Sequence, residues 1–304
     1  MKLSSLALIG ALGVSAPLLV GCSEEPAEAE SEATSAVIQG VIRIERTLAE
    51  DGLASTISAK FMRAQPDDLS AADRLVGTQL EIPSEGECSP ISEVRTTGLV
   101  RHSVELVDVG DLALRTSTED RPWQLTPRAF PDIGDLVSGV FYTQPDVSDE
   151  PGAADLRFPV RYDVSATGTS FVDPFSFGVD VPAVPSNVRV GGGALGRESV
   201  PTVAVGRDIA VDWSAPSSES STDGLVYVDV LGAKAWRCTF RDTGAAILPS
   251  DVLSREDAQQ FVVLSIHRVR EETVPVDFQG RAQKSQEFTS VRFDFARSGR
   301  VIVE

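Results

Sequence analysis

The sequence predicts an all-β protein in which two β-sandwich domains follow a disordered acidic tether. Three observations carry this prediction. Apolar and polar residues alternate in many short stretches, which is the pattern of half-buried strands. Turn-forming pieces such as residues 65–68 (Gln-Pro-Asp-Asp) separate these stretches, and Gly and Pro are frequent. Long helical periodicity is missing, so short strands at this spacing favour sandwiches.

The first residues have the features of a targeting segment. Lys2 supplies a positive start, and residues 6–20 form an apolar run that is too short and too rich in small residues to span a bilayer. The run ends in Leu19-Val20-Gly21-Cys22, which resembles the lipobox of bacterial lipoproteins. The resemblance implies that the signal, residues 1–21, is removed and that Cys22 is acylated. The alternative is an ordinary signal peptide with an incidental cysteine.

Residues 22–36 have the composition of a disordered linker. Five glutamates repel one another, Pro26 interrupts the segment, and no apolar side chain is large enough to drive folding. Each buried CH₂ of an acyl chain contributes on the order of 0.8 kcal/mol, so a lipidated Cys22 would hold the protein on a membrane. In lipoproteins, Ser rather than Asp after the cysteine implies delivery to the outer membrane of Gram-negative bacteria. The predicted location is therefore the cell envelope.

The net charge of −18 limits the classes of partner. Loss of Lys2 with the signal makes the charge one unit more negative. An acidic surface repels nucleic acid and anionic lipid and favours basic partners or cations. The expected partners are the membrane, through the lipid anchor, and an envelope protein or a glycan, with no nucleic acid.

The first domain is predicted over residues 37–182. Its two clearest strands are residues 37–47, with Ile42 and Ile44 on one face, and residues 55–63, with Ile57, Ala59 and Phe61 on one face. Further strands are predicted at residues 75–82, 99–109, 112–117, 136–142, 156–166 and 170–181. Residues 181–188, with two prolines, are the predicted linker.

The second domain is predicted over residues 183–304, where inward-facing rows are easy to recognise. The rows are Ile209, Val211 and Trp213; Val226, Val228 and Val230; Trp236, Cys238 and Phe240; Val262, Leu264 and Ile266; and Val291, Phe293 and Phe295. The stretches PSNVRV, DIAVDWSAP and LVYVDV together resemble the opening of a fibronectin type III or immunoglobulin-like module. This implies an Ig-like sandwich with an early-strand Trp in the core. A helical turn is predicted within residues 245–259, capped by Ser250 or Asp251.

The chain as a whole resembles β-rich lipoproteins of Gram-negative bacteria that carry a C-terminal sandwich with a C-x-F-x-D-x-G segment. Here that segment is residues 238–244, Cys-Thr-Phe-Arg-Asp-Thr-Gly. The resemblance implies an architecture and an address, and it implies no activity.

Few residues are available for catalysis or metal binding. His102 and His267 are the two histidines, so zinc sites that need several imidazoles or thiolates are excluded, and both are predicted as sheet-surface residues. Residues 190–196, VGGGALG, lack the lysine and helix of a phosphate-binding loop and are predicted as a flexible loop. The acidic residues Asp146, Asp149, Glu150 and Asp155 match no calcium-loop spacing. No metal and no cofactor is predicted.

Cys88 and Cys238 remain after lipidation of Cys22. In an oxidising compartment this pair suggests a disulfide between the two domains. The alternative is two separate thiols, with Cys238 as a small core residue and Cys88 in a loop.

Two classes of function stay open. The first is a non-enzymatic binding or structural module displayed on the envelope, because no catalytic constellation is visible in the sequence. The second is an extracytoplasmic hydrolase that acts on glycans through carboxylates, which meet only in space. Trp123, in a loop-like segment, is the aromatic residue with the least obvious place in a core.

Overall fold

The computed structural model describes residues 36–49, 52–91, 103–116, 122–131, 136–144, 161–196, 200–215, 224–278 and 287–304. Within these residues the chain is mostly β-strand, which confirms the all-β prediction. No helix in this part of the chain is long and apolar enough to cross a membrane.

The regular elements follow in chain order. The strands are β1 (Val37–Ala49), β2 (Gly52–Ala64), β3 (Cys88–Pro90), β4 (Val104–Leu106), β5 (Leu112–Thr116), β6 (Trp123–Gln124), β7 (Thr126–Ala129), β8 (Val137–Thr143), β9 (Arg161–Ala166), β10 (Phe175–Asp180), β11 (Arg189–Val190), β12 (Gly193–Ala194), β13 (Thr202–Val203), β14 (Ile209–Asp212), β15 (Leu225–Leu231), β16 (Ala235–Arg241), β17 (Ala245–Leu248), β18 (Phe261–Pro275) and β19 (Phe288–Val303). The helical elements are α1 (Leu69–Leu75) and the 3₁₀ turns Pro66–Asp68 and Arg255–Asp257.

The strands form one large sheet and two small ones. The main sheet has the order β3-β16-β15-β18-β19-β1-β2-β4-β8-β7, with β13 added beside β19. The second sheet has the order β10-β9-β5-β6, and the third sheet has the order β12-β11-β14-β17. The main sheet continues across the predicted boundary at residues 182 and 183, because β1 pairs with β19 in parallel, Gln39 opposite Phe288 and Leu48 opposite Arg297.

Two of the three hydrophobic cores lie on one face of the main sheet, and the third, which contains Met62 of β2 and Ala72 of α1, lies on the opposite face. The first core contains Ile44 and Phe61 of the main sheet together with Val164 of the second sheet. The second core contains Val228 and Leu264 of the main sheet together with Val211 and Leu248 of the third sheet. The β18–β19 hairpin is long enough to contribute residues to both cores. Val291 and Phe293 belong to the first core, and Leu264 and Val301 belong to the second.

The predicted inward rows are confirmed for most residues. Ile209, Val211 and Trp213 are buried in the second core, as are the rows of Val226 and Val262. Val291, Phe293 and Phe295 are buried in the first core, with Ile42, Ile44, Ile57, Ala59 and Phe61. In the row of Cys238, the cysteine is buried while Trp236 and Phe240 are half-buried against the same core. Trp123 is half-buried against the first core.

Two local predictions are wrong. Residues 75–82 do not form a strand, because α1 ends at Leu75 and irregular chain follows. The helix was missed although Pro66 lies at the start of the preceding 3₁₀ turn and Asp67 and Asp68 lie in that turn, as suits a helix start. The helical turn near residue 255 is capped by Ser254, whose side chain and backbone bond to Asp257, rather than by Ser250 or Asp251.

The glycine-rich stretch at residues 190–196 is a hairpin turn. Gly191 and Gly192 have φ of 58° and 84° and connect β11 directly to β12. Two consecutive residues with positive φ are what a tight two-residue hairpin requires, and glycine adopts them without strain. The glycines therefore serve a chain reversal.

Candidate functional site

A segment of irregular chain crosses the other face of the main sheet, opposite the two cores. We call this segment, residues 76–87, the strap. It leaves α1 above β2 and arrives at β16, where Gly86 N donates to Thr239 O at 2.7 Å and Thr239 N donates to Glu87 O at 3.0 Å. The sheet order places β1, β19, β18 and β15 between those two ends. The strap therefore covers the middle of the sheet.

Three basic side chains of the sheet hold the strap by its backbone carbonyls. Lys60 of β2 donates to Val76 O. Arg292 of β19 donates to Thr78 O at 2.5 Å, and Arg237 of β16 donates to Glu81 O at 2.9 Å. A buried carbonyl group without a hydrogen-bond donor destabilises the fold. The three basic side chains supply donors to carbonyl groups of the strap, which is not paired with a neighbouring strand.

The far end of the strap is attached covalently. Cys88 and Cys238 face each other in the β3–β16 register and are joined by a disulfide with an S–S distance of 2.04 Å. Cys238 is fully buried in the second core, and Cys88 is half-buried against it. Of the two alternatives for these cysteines, the structure has the bridge.

A buried group of charged and aromatic side chains lies under the strap. We call Tyr227, Asp229, Arg237, His267 and Asp294 the polar cluster. The Tyr227 hydroxyl donates to Asp294 Oδ2 at 2.5 Å, and His267 Nδ1 lies 2.7 Å from Asp294 Oδ1. Arg237 donates twice to Asp229, from Nε and Nη2, each at 2.8 Å. Asp229 and Asp294 lie on neighbouring parts of the same sheet face, 7% and 4% exposed.

Aromatic stacking completes the polar cluster. The rings of Tyr227 and His267 stack with centroids 4.2 Å apart. The Arg237 guanidinium lies over the Tyr227 ring at 4.2 Å from its centroid. A guanidinium over an aromatic face is attracted by the ring quadrupole, most strongly where water is excluded.

The electrostatics of the polar cluster favour fixed protonation states. Burial raises the pKa of Asp294, but its hydrogen bonds with His267 and Tyr227 outweigh burial and hold the pKa below its ordinary value. Burial, followed by the charge of Asp294, raises the pKa of the Tyr227 hydroxyl, which therefore stays protonated. Burial lowers the pKa of Arg237, and the hydrogen bonds to Asp229 more than restore it, so its pKa is raised. Asp294 is thus ionised, and the side chains of Asp229 and Asp294 both accept hydrogen bonds from within the protein.

An open cleft of about 500 Å³ adjoins the polar cluster. Leu80 and Ile82 of the strap form one wall, and Leu225 and Val269 lie at the end of the β15–β18 pairing. A volume in this range is usual for ligand sites in proteins. Leu225 precedes Tyr227 by two residues, and Val269 follows His267 by two, so the cleft and the polar cluster share one sheet face.

Two ion pairs flank the cleft. Arg292 Nη2 lies 2.8 Å from Glu271 Oε2, and Arg270 Nη2 lies 3.6 Å from Glu272 Oε2. Glu272 Oε2 is shielded from solvent and accepts no hydrogen bond. The second pair is therefore an ion pair without a hydrogen bond.

The remaining sequence-predicted sites fall into two groups. Cys22, His102, and the acidic residues 146–155 lie outside the described residues. His267 lies on the predicted sheet face, opposite Leu264 and Ile266, but the strap covers it and its side chain is only 16% exposed. Among the described residues, no three His, Cys, Asp or Glu side chains come together as a metal site would require.

Sequence patterns missed the partners of His267. Tyr227, Asp229 and Asp294 each stand between core residues, so alternation assigns them to the outer face of the sheet, which was expected to meet solvent. One feature of the sequence could have indicated these buried carboxylates. Each is flanked by large apolar residues, in Phe293-Asp294-Phe295 and in Val228-Asp229-Val230. No pattern in a single sequence indicates that a distant segment covers this face.

No protein-family model matches the chain, and no curated protein matches its sequence.

Proposed function

We propose that this protein is a lipid-anchored, non-enzymatic binding or structural module of the bacterial cell envelope. The cleft between the strap and the end of β15 carries the binding part of the proposal. It combines apolar walls at Leu80, Ile82, Leu225 and Val269 with the ion pair of Glu271 and Arg292, which lines the same cleft. Concave sites with apolar walls and a few polar groups are the usual form of a binding site.

We also propose that the protein is attached to a membrane through a lipid on Cys22. The segment from Lys2 to Cys22 resembles a lipoprotein signal, and the acidic residues 23–36 suit a tether between an acylated cysteine and the first strand at Val37. We place the protein on the outer membrane, because Ser23 follows the cysteine.

We further propose that residues 37–182 and residues 183–304 form two Ig-like sandwiches. Two separate hydrophobic cores support this division, the first against the second sheet and the other against the third sheet. The shared β18–β19 hairpin makes the two sandwiches mechanically continuous. Calorimetry should therefore give a single unfolding transition for both.

The polar cluster supports a binding role over catalysis. Asp294 accepts hydrogen bonds on both oxygens, and Asp229 is held by two bonds from Arg237. Groups that are paired within the protein fix the sheet face beneath the strap, and they are not directed at a ligand. Rigid positioning of the cleft floor follows from this pairing.

A hydrolase acting on glycans through carboxylates is the second candidate. Burial raises the pKa of Asp73, and the nearby carboxyl group of Glu271, which lines the cleft, also raises it. Glycoside hydrolysis needs two carboxyl groups that face the same substrate. Incubation of the purified protein with envelope polysaccharides tests this. Release of reducing ends that is abolished by Asp73→Asn would favour the hydrolase, and no release from any polysaccharide would leave the binding module.

Photocrosslinking in intact cells tests the binding function directly. A photoreactive residue replaces Ile82 in the cleft, and the matched control replaces Ile247, which is 64% exposed on β17 of the third sheet. We expect a discrete adduct from position 82 and none from position 247. Equal labelling at both positions, or none at position 82, would contradict a binding role for the cleft.

A further inference from the structure

Apolar side chains are exposed on the main sheet beyond the strap. Leu231 of β15 and Phe261 of β18 are 44% and 59% exposed, and Val263 and Ile302 are half-buried. Leu231 lies opposite Val263, and Phe261 lies opposite Ile302, so the four side chains are contiguous. Along β18, Val263 shares its face with His267, which is the face that the strap crosses. We call Leu231, Phe261, Val263 and Ile302 the apolar patch.

The strap does not reach the apolar patch. It meets β16 at Thr239, whereas Leu231 lies opposite Ala235, four residues from Thr239 along the same strand. Four residues of a strand span about 13 Å. Arg300 lies with its guanidinium 5.3 Å from the centre of the Phe261 ring, at the side of the patch. Contiguous large apolar side chains exposed to water are typical of a surface that another molecule covers.

Charges of opposite sign stand on the two sides of the apolar patch. Lys234 lies in the turn between β15 and β16, and Glu304 follows Ile302 by two residues at the end of β19; both are exposed. Glu304 continues the extended chain, since its N–H donates to Val203 O and its carbonyl accepts from Val205 N. β18 lies between β15 and β19 in the sheet, so the patch has a basic side and an acidic side.

This arrangement is self-complementary. A two-fold axis that runs along β18 and lies over the patch brings two copies together face to face. The axis exchanges left and right, so Lys234 of one copy faces Glu304 of the other, and the reverse. Phe261 and Val263, on the strand nearest the axis, meet the same residues of the second copy. The straps stand out from this face, so the two sheets diverge below the patch.

Electrostatics favour a second copy at the apolar patch over one elsewhere on the surface. The net charge of −18 makes most surfaces of two copies repel each other. The four patch residues carry no charge, and burial of their apolar surface stabilises the contact. Opposite charges on the two sides fix how the copies align.

The same axis suits two copies on one membrane. β1 and β19 run in parallel, with Gln39 opposite Phe288, and the patch lies at the other end of β19, at Ile302. Val37, where the first strand begins, therefore points the same way in both copies. With each copy anchored through Cys22, both anchors enter the same membrane, and confinement there raises the effective concentration. The pairing itself does not depend on the anchor.

We propose that the protein forms a two-fold symmetric dimer through the apolar patch, with Lys234 of each copy paired with Glu304 of the other. The patch is small beside a standard protein interface, so the dimer dissociates at low concentration. The dimer is an interaction beyond the function proposed for the cleft. The cleft begins at Leu225, six residues from Leu231 on β15, so it lies outside the dimer contact.

Sedimentation equilibrium of the purified full-length protein, in density-matched detergent, tests the dimer. We expect monomer and dimer to interconvert between about 1 and 200 μM. Lys234→Glu and Glu304→Lys should each weaken the dimer about tenfold, because each reversal opposes like charges at two symmetric sites. The variant with both changes should regain wild-type association. Phe261→Ser should abolish it, and Ile247→Ser, at a 64% exposed position on β17, should leave it unchanged.

Three outcomes overturn the proposal. A monomer throughout the concentration range excludes the dimer. A dimer that Phe261→Ser leaves intact uses another surface. Single charge reversals that weaken the dimer, with a double variant that does not restore it, exclude the pairing of Lys234 with Glu304. None of these variants lies in the cleft, so labelling from position 82 in cells tests the binding function separately.

Discussion

His267 Nδ1 lies 2.7 Å from Asp294 Oδ1 beneath a segment of chain that begins more than 180 residues earlier in the sequence, near Val76. Because Asp294 is ionised and can only accept, Nδ1 carries the hydrogen and donates a hydrogen bond to the carboxylate. Tyr227 donates to the second oxygen of the same group. One carboxylate thus joins β15, β18 and β19 on the face that the strap covers.

We expect Asp294 to contribute acid-sensitive stability. Its pKa is held below the unfolded value of about 4, so the stabilisation is present above that pH and is lost as the pH falls through the lower folded pKa. Asp294→Asn should lower the free energy of unfolding at pH 7 and flatten its decline below pH 4, as measured by urea denaturation. Asp163→Asn is the control, because that side chain is 59% exposed, and it should change neither. If the free energy of unfolding declined equally steeply below pH 4 in Asp294→Asn and in the wild type, this explanation would be wrong.

Trp213 should be the most costly of the tryptophans to truncate. It is 5% exposed in the second core, and its Nε1 donates to Asp242 Oδ1 at 2.7 Å. Trp213→Ala should lower the free energy of unfolding by roughly 3–5 kcal/mol through the cavity it leaves. Trp123→Ala, at a half-buried position on the first core, should cost clearly less. Equal small losses in denaturant melts would contradict the buried position of Trp213.

The disulfide should control the strap. Replacing Cys88 and Cys238 together by Ala removes a link across 150 residues, which we expect to cost roughly 2–4 kcal/mol. The strap should be affected more than the stability of the whole protein. We expect faster hydrogen exchange and new protease cleavage within residues 76–87. Arg237→Gln in the oxidised protein, which removes the hydrogen bond to Glu81 O and the two bonds to Asp229, should loosen the same residues to a smaller degree. An unchanged cleavage pattern in the double variant would mean that the basic side chains hold the strap without the disulfide.

Cys22 should decide where the protein resides. Cys22→Ser should leave the protein unacylated, so that it appears in the soluble fraction, while Ser23→Ala should keep it in the membrane fraction. Metabolic labelling with a fatty acid checks the modification itself. A Cys22→Ser variant that still fractionates with membranes and carries label would contradict the proposed anchor.

Alternation along single strands predicted the inward faces correctly because burial on one face is a local property of the sequence. The rows of Ile209 and Val226 required only their own periodicity. The parallel pairing of β1 with β19 was not predictable in this way, because it joins residues about 250 positions apart and either strand would look the same with another neighbour.

The candidate site could not be predicted from the sequence for a related reason. Leu80 and Ile82 alternate with polar residues, which favoured a strand, although they belong to the strap and line the cleft. Tyr227 and Asp229 occupy positions that alternation assigns to solvent, yet both are buried among Arg237, His267 and Asp294 on the face that the strap crosses. Tertiary covering of a sheet face depends on distant chain, and local patterns do not record it.

Hydrogen exchange in native membranes tests the account most directly. The exchange of residues 80–82 and 269–272, which line the cleft, is compared between the purified protein and the same protein in envelope fragments isolated with its partners. We predict slower exchange at both segments in the envelope and no change at residues 245–248 of β17, which lie on the third sheet. Identical exchange of the cleft residues in the two preparations would contradict the claim that the cleft binds an envelope partner.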